Sequence, residues 1–362
     1  MAGIYVHIPF CKKRCLYCDF YSTTLLGRQE EYVAALCKEI ELRKDEACEP
    51  IRTIYIGGGT PSTLSLESVT AINHYLTPSC IAEYTFEINP GDATKEYLQG
   101  LRKMGVNRLS MGVQSFQDTL LRFIGRRHNA QQAIEAVRKA QEAGFENISI
   151  DLMYALPGQT MAQWKADIET ALGLGVQHIS SYGLMYEEGT ALTKMRDKGE
   201  IEAIDEETEN AMYDYLCERL REAGFVHYEV SNFALPGYEA KHNSNYWNGT
   251  PYIGIGAGAH SYIGNVRSWN PNDLEAYITG MNQGTLVREQ EVLSDKDLYN
   301  EQIMLGLRTY KGCKLSPSVD RRLTVGELSQ NGLIRETEDG RIVATQKGIH
   351  ILNRIIEDLM VE

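Results

Sequence analysis

The chain has 362 residues, of which 43% are hydrophobic and 23% are charged, as in ordinary globular proteins. Its formal net charge of −13 argues against nonspecific nucleic-acid binding, and no apolar run approaches the length of a membrane span. The opening residues "MAGIYVHIPFC" lack the basic and apolar regions of a secretory signal, so we expect a cytoplasmic protein with reduced cysteines.

Six short segments rich in β-branched residues predict buried strands, and segments with helical periodicity lie between them. The strand segments are "GIYVHIPF" (3–10), "TIYIGG" (53–58), "YTFEINP" (84–90), "NRLSMGVQ" (107–114), "NISIDLMYALP" (147–157) and "HISSYGLMY" (178–186). This alternation indicates parallel β/α units, and it predicts an α/β fold with a partial (β/α)6 barrel over residues 1–225. Chemistry in such sheets lies at the carboxyl ends of the strands, where the unusual residues of this chain fall.

The pattern changes after about residue 225. Residues 226–289 predict strands and loops that flank the barrel. Within them, "GIGAGA" (254–259) fits a loose dinucleotide-binding pattern, but no helical pattern follows it, so we interpret it as tight turns or close backbone packing. Residues 290–362 predict helix, hairpin and helix, with "EDG" (338–340) as the turn, which is typical of a small winged-helix-like α+β domain. Because the region has no basic stripe, a lid or packing module is favoured over DNA binding.

Three of the eight cysteines stand within eight positions, Cys11, Cys15 and Cys18 in "CKKRCLYC". Thiolates at this spacing bind zinc or an iron–sulfur cluster. Structural zinc usually takes four ligands from two separated pairs, and the only nearby fourth candidate is His7, so a cluster with one open iron is favoured. We expect the basic run 12–14 to lower the thiol pKa values and to offset the charge of a cluster. The other five are interpreted as core or surface residues: Cys37, Cys48, Cys80, Cys217 and Cys313.

The motif "CKKRCLYC", with Tyr17 before its last cysteine, resembles the cluster motif of the radical S-adenosylmethionine (SAM) superfamily. That resemblance implies a partial β/α barrel and a [4Fe-4S] cluster held by three cysteines, whose open iron is chelated by SAM. The motifs "YVHIPFC", "GGGTP", "EINP", "MGVQSF", "GRRH" and "IDLMYALPGQT" resemble, in order and spacing, the HemN-like anaerobic coproporphyrinogen III oxidase (dehydrogenase) family. The resemblance covers nearly the entire chain.

The resemblance also implies two sets of cofactor-binding residues. The set around the SAM bound to the cluster comprises Tyr5, Tyr17, Gly58, Gly59, Thr60 and Glu87. The set that corresponds to a second SAM in the dehydrogenase comprises Gln114, Arg126, Asp151 and Met185. For the second set, polar scaffold groups at a barrel mouth remain an equal alternative.

Two departures from the dehydrogenase pattern stand out. Phe20 occupies the position of a further cysteine, and Cys11 follows only ten residues, without a long preceding extension. Together with "HNSNYW" (242–247), these departures resemble the HemW family of haem chaperones. The resemblance implies haem as cargo, with His242 or Tyr246 as a haem contact; a satisfied structural histidine is the alternative. It also implies a haem-accepting protein, respiratory and membrane-associated, a reducing partner such as flavodoxin, and a homodimer, with no nucleic acid.

Three functions therefore stay open at this point. The first is a radical SAM haem chaperone without coproporphyrinogen dehydrogenase activity. The second is the dehydrogenase itself, which decarboxylates coproporphyrinogen III oxidatively with a 5′-deoxyadenosyl radical. The third is a zinc-stabilised interaction module. Phe20 and the short segment before Cys11 favour the first over the second.

Overall fold

The structure is a computed structural model, which describes residues 2–47, 49–76, 80–316 and 321–361. Cys48 lies outside the described residues. Twelve strands of the described part form one sheet, in the order β12-β11-β10-β9-β1-β2-β3-β4-β5-β6-β8-β7. Among the described residues, no helix has both the length and the apolar character that a membrane span requires.

The centre of the sheet consists of six parallel strands that follow one another in chain order. They are β1 (Ala2–Ile8), β2 (Ile51–Gly58), β3 (Glu83–Ile88), β4 (Arg108–Gln114), β5 (Ile148–Tyr154) and β6 (His178–Gly183). Each pairs in parallel with its neighbour. The predicted parallel β/α architecture is confirmed, with strand ends shifted by only a few residues. Strand β1 ends at Ile8, two residues short of its predicted end, because Pro9 has no backbone N–H to donate to a ladder.

Helices connect the parallel strands. They are α1 (Gln29–Arg43), α2 (Leu66–Tyr75), α3 (Lys95–Lys103), α4 (Asp118–Phe123), α5 (Ala130–Glu142), α6 (Met161–Gly173), α7 (Ala191–Asp197) and α8 (Glu206–Glu222). Capping boxes at Asn129 and Thr160 fix where α5 and α6 begin. The apolar faces of these helices join the strands in one large hydrophobic core, in which Trp164 is fully buried and donates to the Met212 carbonyl over 2.9 Å.

Further strands extend both edges of the sheet. At one edge, β7 (Val226–Glu229) and β8 (Asn232–Ala234) follow β6. At the other, β9 (Tyr252–Ile255) pairs in parallel with β1, and β10 (His260–Ile263), β11 (Val266–Trp269) and β12 (Glu289–Val292) continue outward. Two helices lie in this stretch, α9 (Lys241–Trp247) and α10 (Leu274–Asn282). The expectation of strands and loops alone over 226–289 is therefore corrected, because "HNSNYW" forms a helix.

The loop "GIGAGA" turns back on itself after β9, as its interpretation as close packing predicted. Gly256 and Gly258 have φ values of +105° and +74°. A Cβ on Gly254 would lie 2.0 Å from the His260 carbonyl oxygen, so only glycine allows this approach. No dinucleotide-type helix follows the loop, since the chain continues into β10.

The C-terminal stretch forms helix, hairpin and helices. Its elements are α11 (Asp295–Gly306), α12 (Arg322–Gln330), β13 (Ile334–Glu336), β14 (Ile342–Ala344), α13 (Gln346–Ile349) and α14 (Leu352–Leu359). Strands β13 and β14 pair antiparallel around the predicted "EDG" turn. The stretch has a hydrophobic cluster of its own, in which Ile303 and Ile355 are fully buried. The winged-helix likeness and the domain boundaries at 225 and 289 stay predictions.

Candidate functional site

The three clustered thiols lie on the loop that leaves the carboxyl end of β1. Backbone hydrogen bonds pin the loop: Cys11 N–H donates to the Thr23 carbonyl over 2.9 Å, and Thr23 N–H donates to the Pro9 carbonyl over 2.7 Å. Cys11 is buried, and Cys15 and Cys18 are half-buried. A loop held in this way presents its side chains in fixed positions at the strand ends.

Burial is the largest influence on the pKa of two of these thiols, Cys11 and Cys18. It raises the pKa of the Cys11 thiol and raises the pKa of the Cys18 thiol to about 11. The prediction that the basic run 12–14 lowers the thiol pKa values is therefore wrong, since Lys12 instead pairs with Asp92 over 2.8 Å. Arg126 contacts a thiol directly, because its Nη1 donates to the Cys15 Sγ over 3.5 Å.

The loop "GGGTP" leaves β2 directly beside the thiols. The register of the sheet pairs Ile8 with Gly58, so both loops start at the same edge. Gly58 has a φ of +116°, and a Cβ on Gly59 would lie 2.9 Å from the Pro9 carbonyl carbon and 3.0 Å from the Cys11 Sγ. Both positions therefore require glycine. Thr60 completes the contact, with its Oγ1 3.4 Å from the Cys11 Sγ.

Glu87 points from β3 towards these loops. It accepts hydrogen bonds from the Tyr55 hydroxyl over 2.7 Å and from the Gly58 N–H over 3.1 Å. Burial raises the pKa of its carboxyl to about 7, although Tyr55 and Gly58 act in the opposite direction. Glu87 therefore has a fixed position and a carboxyl that titrates near neutral pH.

The four residues predicted around a second SAM lie on the next strands and loops. Gln114 ends β4 with an unusual φ of +70°, and Asp151 lies on β5, where it accepts from the Ser110 hydroxyl over 3.3 Å. Burial raises the pKa of the Asp151 carboxyl to about 6. Arg126 donates to the Gly112 carbonyl, and its buried Nε has no partner in the described part of the chain. Met185 is 69% exposed at the rim.

All these residues line one cavity of about 500 Å³, which we call the thiol cavity. Its walls include every predicted cluster and SAM residue: Tyr5, Cys11, Cys15, Tyr17, Cys18, Gly58, Gly59, Thr60, Glu87, Gln114, Arg126, Asp151 and Met185. The cavity also contains Phe20, which is 66% exposed. The predicted roles of these residues stay predictions, but the geometry brings all of them together.

Sequence reasoning missed a buried arginine in this cavity. Arg108 lines the thiol cavity, is only 1% exposed and forms no ion pair within the described part of the chain. Its charge acts to lower the pKa values of Glu87 and Asp151. The available signal was a charged residue at the start of the apolar strand "RLSMGVQ".

The donor set fits an iron–sulfur cluster better than a single zinc ion. Three soft thiols share one cavity wall, which suits a cluster. His7, the only nearby fourth candidate for zinc, has both ring nitrogens engaged, with the Tyr5 hydroxyl at 2.9 Å and the Tyr21 carbonyl at 3.0 Å. Among the described residues, no three histidine, cysteine, aspartate or glutamate side chains are placed to hold one metal ion.

The two predicted haem contacts lie on α9 and do not line the thiol cavity, although the His242 ring packs 5.3 Å from the ring of Tyr55, which does. His242 is 1% exposed, and both ring nitrogens are engaged: Nδ1 with the Thr53 hydroxyl and Nε2 with the Tyr246 hydroxyl, each at 2.9 Å. This is the geometry of a satisfied structural histidine, the alternative considered from the sequence. Tyr246 lines a second cavity, whereas Asn243 of the same helix lines the thiol cavity. The haem roles of both residues stay predictions.

Comparisons with known proteins place the chain among described families. Residues 5–171 match the family model of the radical SAM superfamily. The chain is 38% identical to the haem chaperone HemW of Lactococcus lactis, over 99% of this chain and 97% of that protein. It is 37% identical to HemW of Bacillus subtilis, over 98% of each chain. It also resembles the structure of coproporphyrinogen III oxidase (HemN) from Escherichia coli, a radical SAM enzyme, with a TM-score of 0.84 at 23% identity over 99% of this chain and 90% of that one. At that identity the likeness confirms the fold alone.

Proposed function

The chain belongs to the radical SAM superfamily and, within it, to the HemW family, and on that premise we propose that it binds haem and delivers it to haem-requiring proteins. The observation that carries the proposal is the match to HemW proteins along the whole chain, including the C-terminal stretch beyond the radical SAM region. A likeness confined to residues 5–171 would support only the cofactor chemistry.

Family membership implies a [4Fe-4S] cluster and SAM, and the thiol cavity supports the predicted residues as their site. Cys11, Cys15 and Cys18 would hold the cluster, and the residues from "GGGTP" to Glu87 would contact SAM. When bound, the cluster and SAM supply one-electron radical chemistry.

Charged residues of this chain balance one another on the walls of the cavity. Arg126 places a positive charge beside the Cys15 thiol, which would offset the negative charge of a thiolate-bound cluster, and the Arg108 charge acts on Glu87 and Asp151. Tyr55 and the Gly58 N–H hold the Glu87 carboxylate in one position. A carboxyl whose pKa is raised to about 7 accepts and releases a proton near neutral pH. Glu87 is therefore suited to become negative or neutral according to the charge of a bound ligand.

The dehydrogenase remains the second candidate, because one observation favours it. Gln114, Arg126 and Asp151, the residues predicted around a second SAM, share the thiol cavity with the cluster cysteines. Phe20 argues against it, since a phenyl ring carries no ligand atom or acidic proton where the dehydrogenase has a thiol.

The finer predictions belong to the same proposal. We expect the haem acceptor to be a respiratory, membrane-associated protein, and the cluster to receive its electron from a partner such as flavodoxin. The cytoplasmic location and the homodimer predicted from the sequence are part of this proposal.

The test uses anaerobically reconstituted protein in two assays on one preparation. Absorbance titration with haem is expected to show saturable binding, followed by transfer to an apo haem protein. Incubation with coproporphyrinogen III, SAM and reductant is expected to give no protoporphyrinogen. Multiple-turnover decarboxylation would overturn the chaperone assignment in favour of the dehydrogenase.

A further inference from the structure

A second cavity lies between α9, strands β9 to β11 and the C-terminal stretch. We call it the tyrosine cavity. Its volume is about 1000 Å³, twice that of the thiol cavity. The side chains that matter for its chemistry are Tyr246, Trp247, Tyr252, Tyr262, Lys311 and Lys314. Tyr246, which the resemblance of "HNSNYW" predicts as a haem contact, lies in this lining, whereas no motif predicts a role for the other five.

One wall of the tyrosine cavity is aromatic and ordered. Tyr246 and Tyr252 pack edge to face with ring centroids 4.7 Å apart, and Tyr252 lies 6.4 Å from Tyr262. Tyr246 is held in place by its hydrogen bond to His242, which is in turn bonded to Thr53 on β2. A wall of fixed rings offers a large apolar surface to a flat aromatic ligand.

The part of the lining that comes from the C-terminal stretch carries two lysines. Lys311 and Lys314 form no ion pair within the described part of the chain, although Lys311 lies over the Tyr310 ring at 5.8 Å. The described lining residues comprise four cationic side chains and two carboxylates: Arg267 pairs with Glu301 over 2.6 Å, Arg341 pairs with Asp339 outside the lining over 2.9 Å, and Glu239 accepts from the Gly237 N–H over 3.1 Å. In a chain with a net charge of −13, this excess of positive charge at a cavity favours an anionic ligand.

Two phenol oxygens in the cavity are available to a metal. The hydroxyls of Tyr252 and Tyr262 have no hydrogen bond to another described residue, and neither oxygen is sealed from the cavity. Burial raises the pKa of both phenols, the Glu301 carboxylate acts in the same direction, and the Arg267 charge acts to lower it. Phenolate oxygen is one of the ligands that hold ferric haem in proteins.

We propose that the tyrosine cavity is the cargo site for haem, which packs its ring on Tyr246, Tyr252 and Tyr262 and its two carboxylates on Lys311 and Lys314. The choice of haem rests on the proposed function, because the shape and charge of the cavity by themselves specify only a flat aromatic dianion. Ferric iron coordinates a phenol oxygen of Tyr252 or Tyr262, and the phenol proton leaves to solvent without any change in oxidation state. The thiol cavity has half the volume and is assigned to the cluster and SAM.

The protein side of the test compares matched variants of the cluster-loaded full chain. The double change Lys311→Met with Lys314→Met is expected to weaken haem binding about tenfold or more, because it removes two charge-assisted contacts. Lys296→Met, an exposed lysine on α11 outside the cavity, is the control and is expected to change nothing. Tyr252→Phe with Tyr262→Phe is expected to remove the phenolate-to-iron charge-transfer band, whereas the exposed Tyr75→Phe keeps it.

The ligand side uses haem dimethyl ester, which lacks both free carboxylates. Wild type is expected to bind the ester more weakly than haem, and the double lysine variant is expected to bind the two equally. Retained brown colour and far-ultraviolet circular dichroism show that each variant is folded. Haem binding that is unchanged in both double variants would overturn the tyrosine cavity as the site and leave the proposed function standing. A wild type that binds no haem would instead remove the proposed function.

Discussion

The thiol cavity and the tyrosine cavity differ in chemistry as much as in place. The thiol cavity lies at the carboxyl ends of parallel strands and presents thiols, buried carboxyls and arginines. The tyrosine cavity lies at the sheet edge against the C-terminal stretch and presents phenols and lysines. Helix α9 separates them, with Asn243 on one side and Tyr246 on the other. On our proposal, the two cavities keep reactive cofactors and cargo apart in space.

Loss of the cluster should be the largest effect, and it should leave haem binding untouched. Cys15→Ala removes one of three thiol ligands, so we expect no bound iron and no brown colour after anaerobic reconstitution. Haem affinity should stay within twofold of wild type. Cys80→Ala, an exposed cysteine, should keep full iron content. Stoichiometric zinc without iron in wild type would contradict the cluster assignment.

Damage to the C-terminal core should weaken haem binding and leave the cluster in place, which is the reverse of the result expected for Cys15→Ala. Ile355 is 1% exposed within the separate C-terminal hydrophobic cluster. Ile355→Ala is expected to cost about 2–5 kcal/mol of local stability and to weaken haem binding, with iron content retained. Leu323→Ala, at a residue that is 85% exposed, should be silent in both assays. Equal loss of iron and haem would show that the two regions unfold as one.

Gly59→Val should affect the thiol cavity alone. The Cβ alone would lie 2.9 Å from the Pro9 carbonyl carbon and 3.0 Å from the Cys11 Sγ, closer than van der Waals contact, so the loop must shift and we expect SAM binding to weaken about tenfold or more. The SAM-dependent change in the electron paramagnetic resonance signal of the reduced cluster reports this. Gly27→Val, where nothing lies within 4 Å, is the control. An unchanged SAM response in Gly59→Val would remove its assigned role.

The smallest expected effect is the pH dependence of stability from Glu87. Its folded-state pKa of about 7 lies above its ordinary value of 4.5, so its stabilisation is complete below pH 4.5 and is lost as the pH rises through 7. In Glu87→Gln, the urea concentration at the midpoint of unfolding should depend less on pH between 4.5 and 7 than it does in wild type. Asp151, whose pKa is raised to about 6, also makes stability fall as the pH rises, and it does so equally in wild type and in Glu87→Gln. The control Glu96→Gln, on the surface of α3, should show the same pH dependence of the urea midpoint as wild type.

The sequence predicted the thiol cavity better than the tyrosine cavity for a physical reason. Each parallel strand brings its last residues to a common edge, so local motifs such as "GGGTP" and Glu87 could be assembled from topology alone. Arg108 was missed because burial of an arginine in a strand depends on which neighbours surround it. The helical form of "HNSNYW" was missed because its polar residues have no clear period. The tyrosine cavity combines residues near 250 with residues near 312, and no local pattern joins them.

The central claim, that cluster and cargo occupy different cavities, is tested most directly by locating iron in haem-loaded crystals. An anomalous difference map at the iron absorption edge should show two separate sites. We predict one beside Cys11, Cys15 and Cys18, and the other within bonding distance of the Tyr252 or Tyr262 hydroxyl. Haem iron inside the thiol cavity, or bound to His242, would contradict the account.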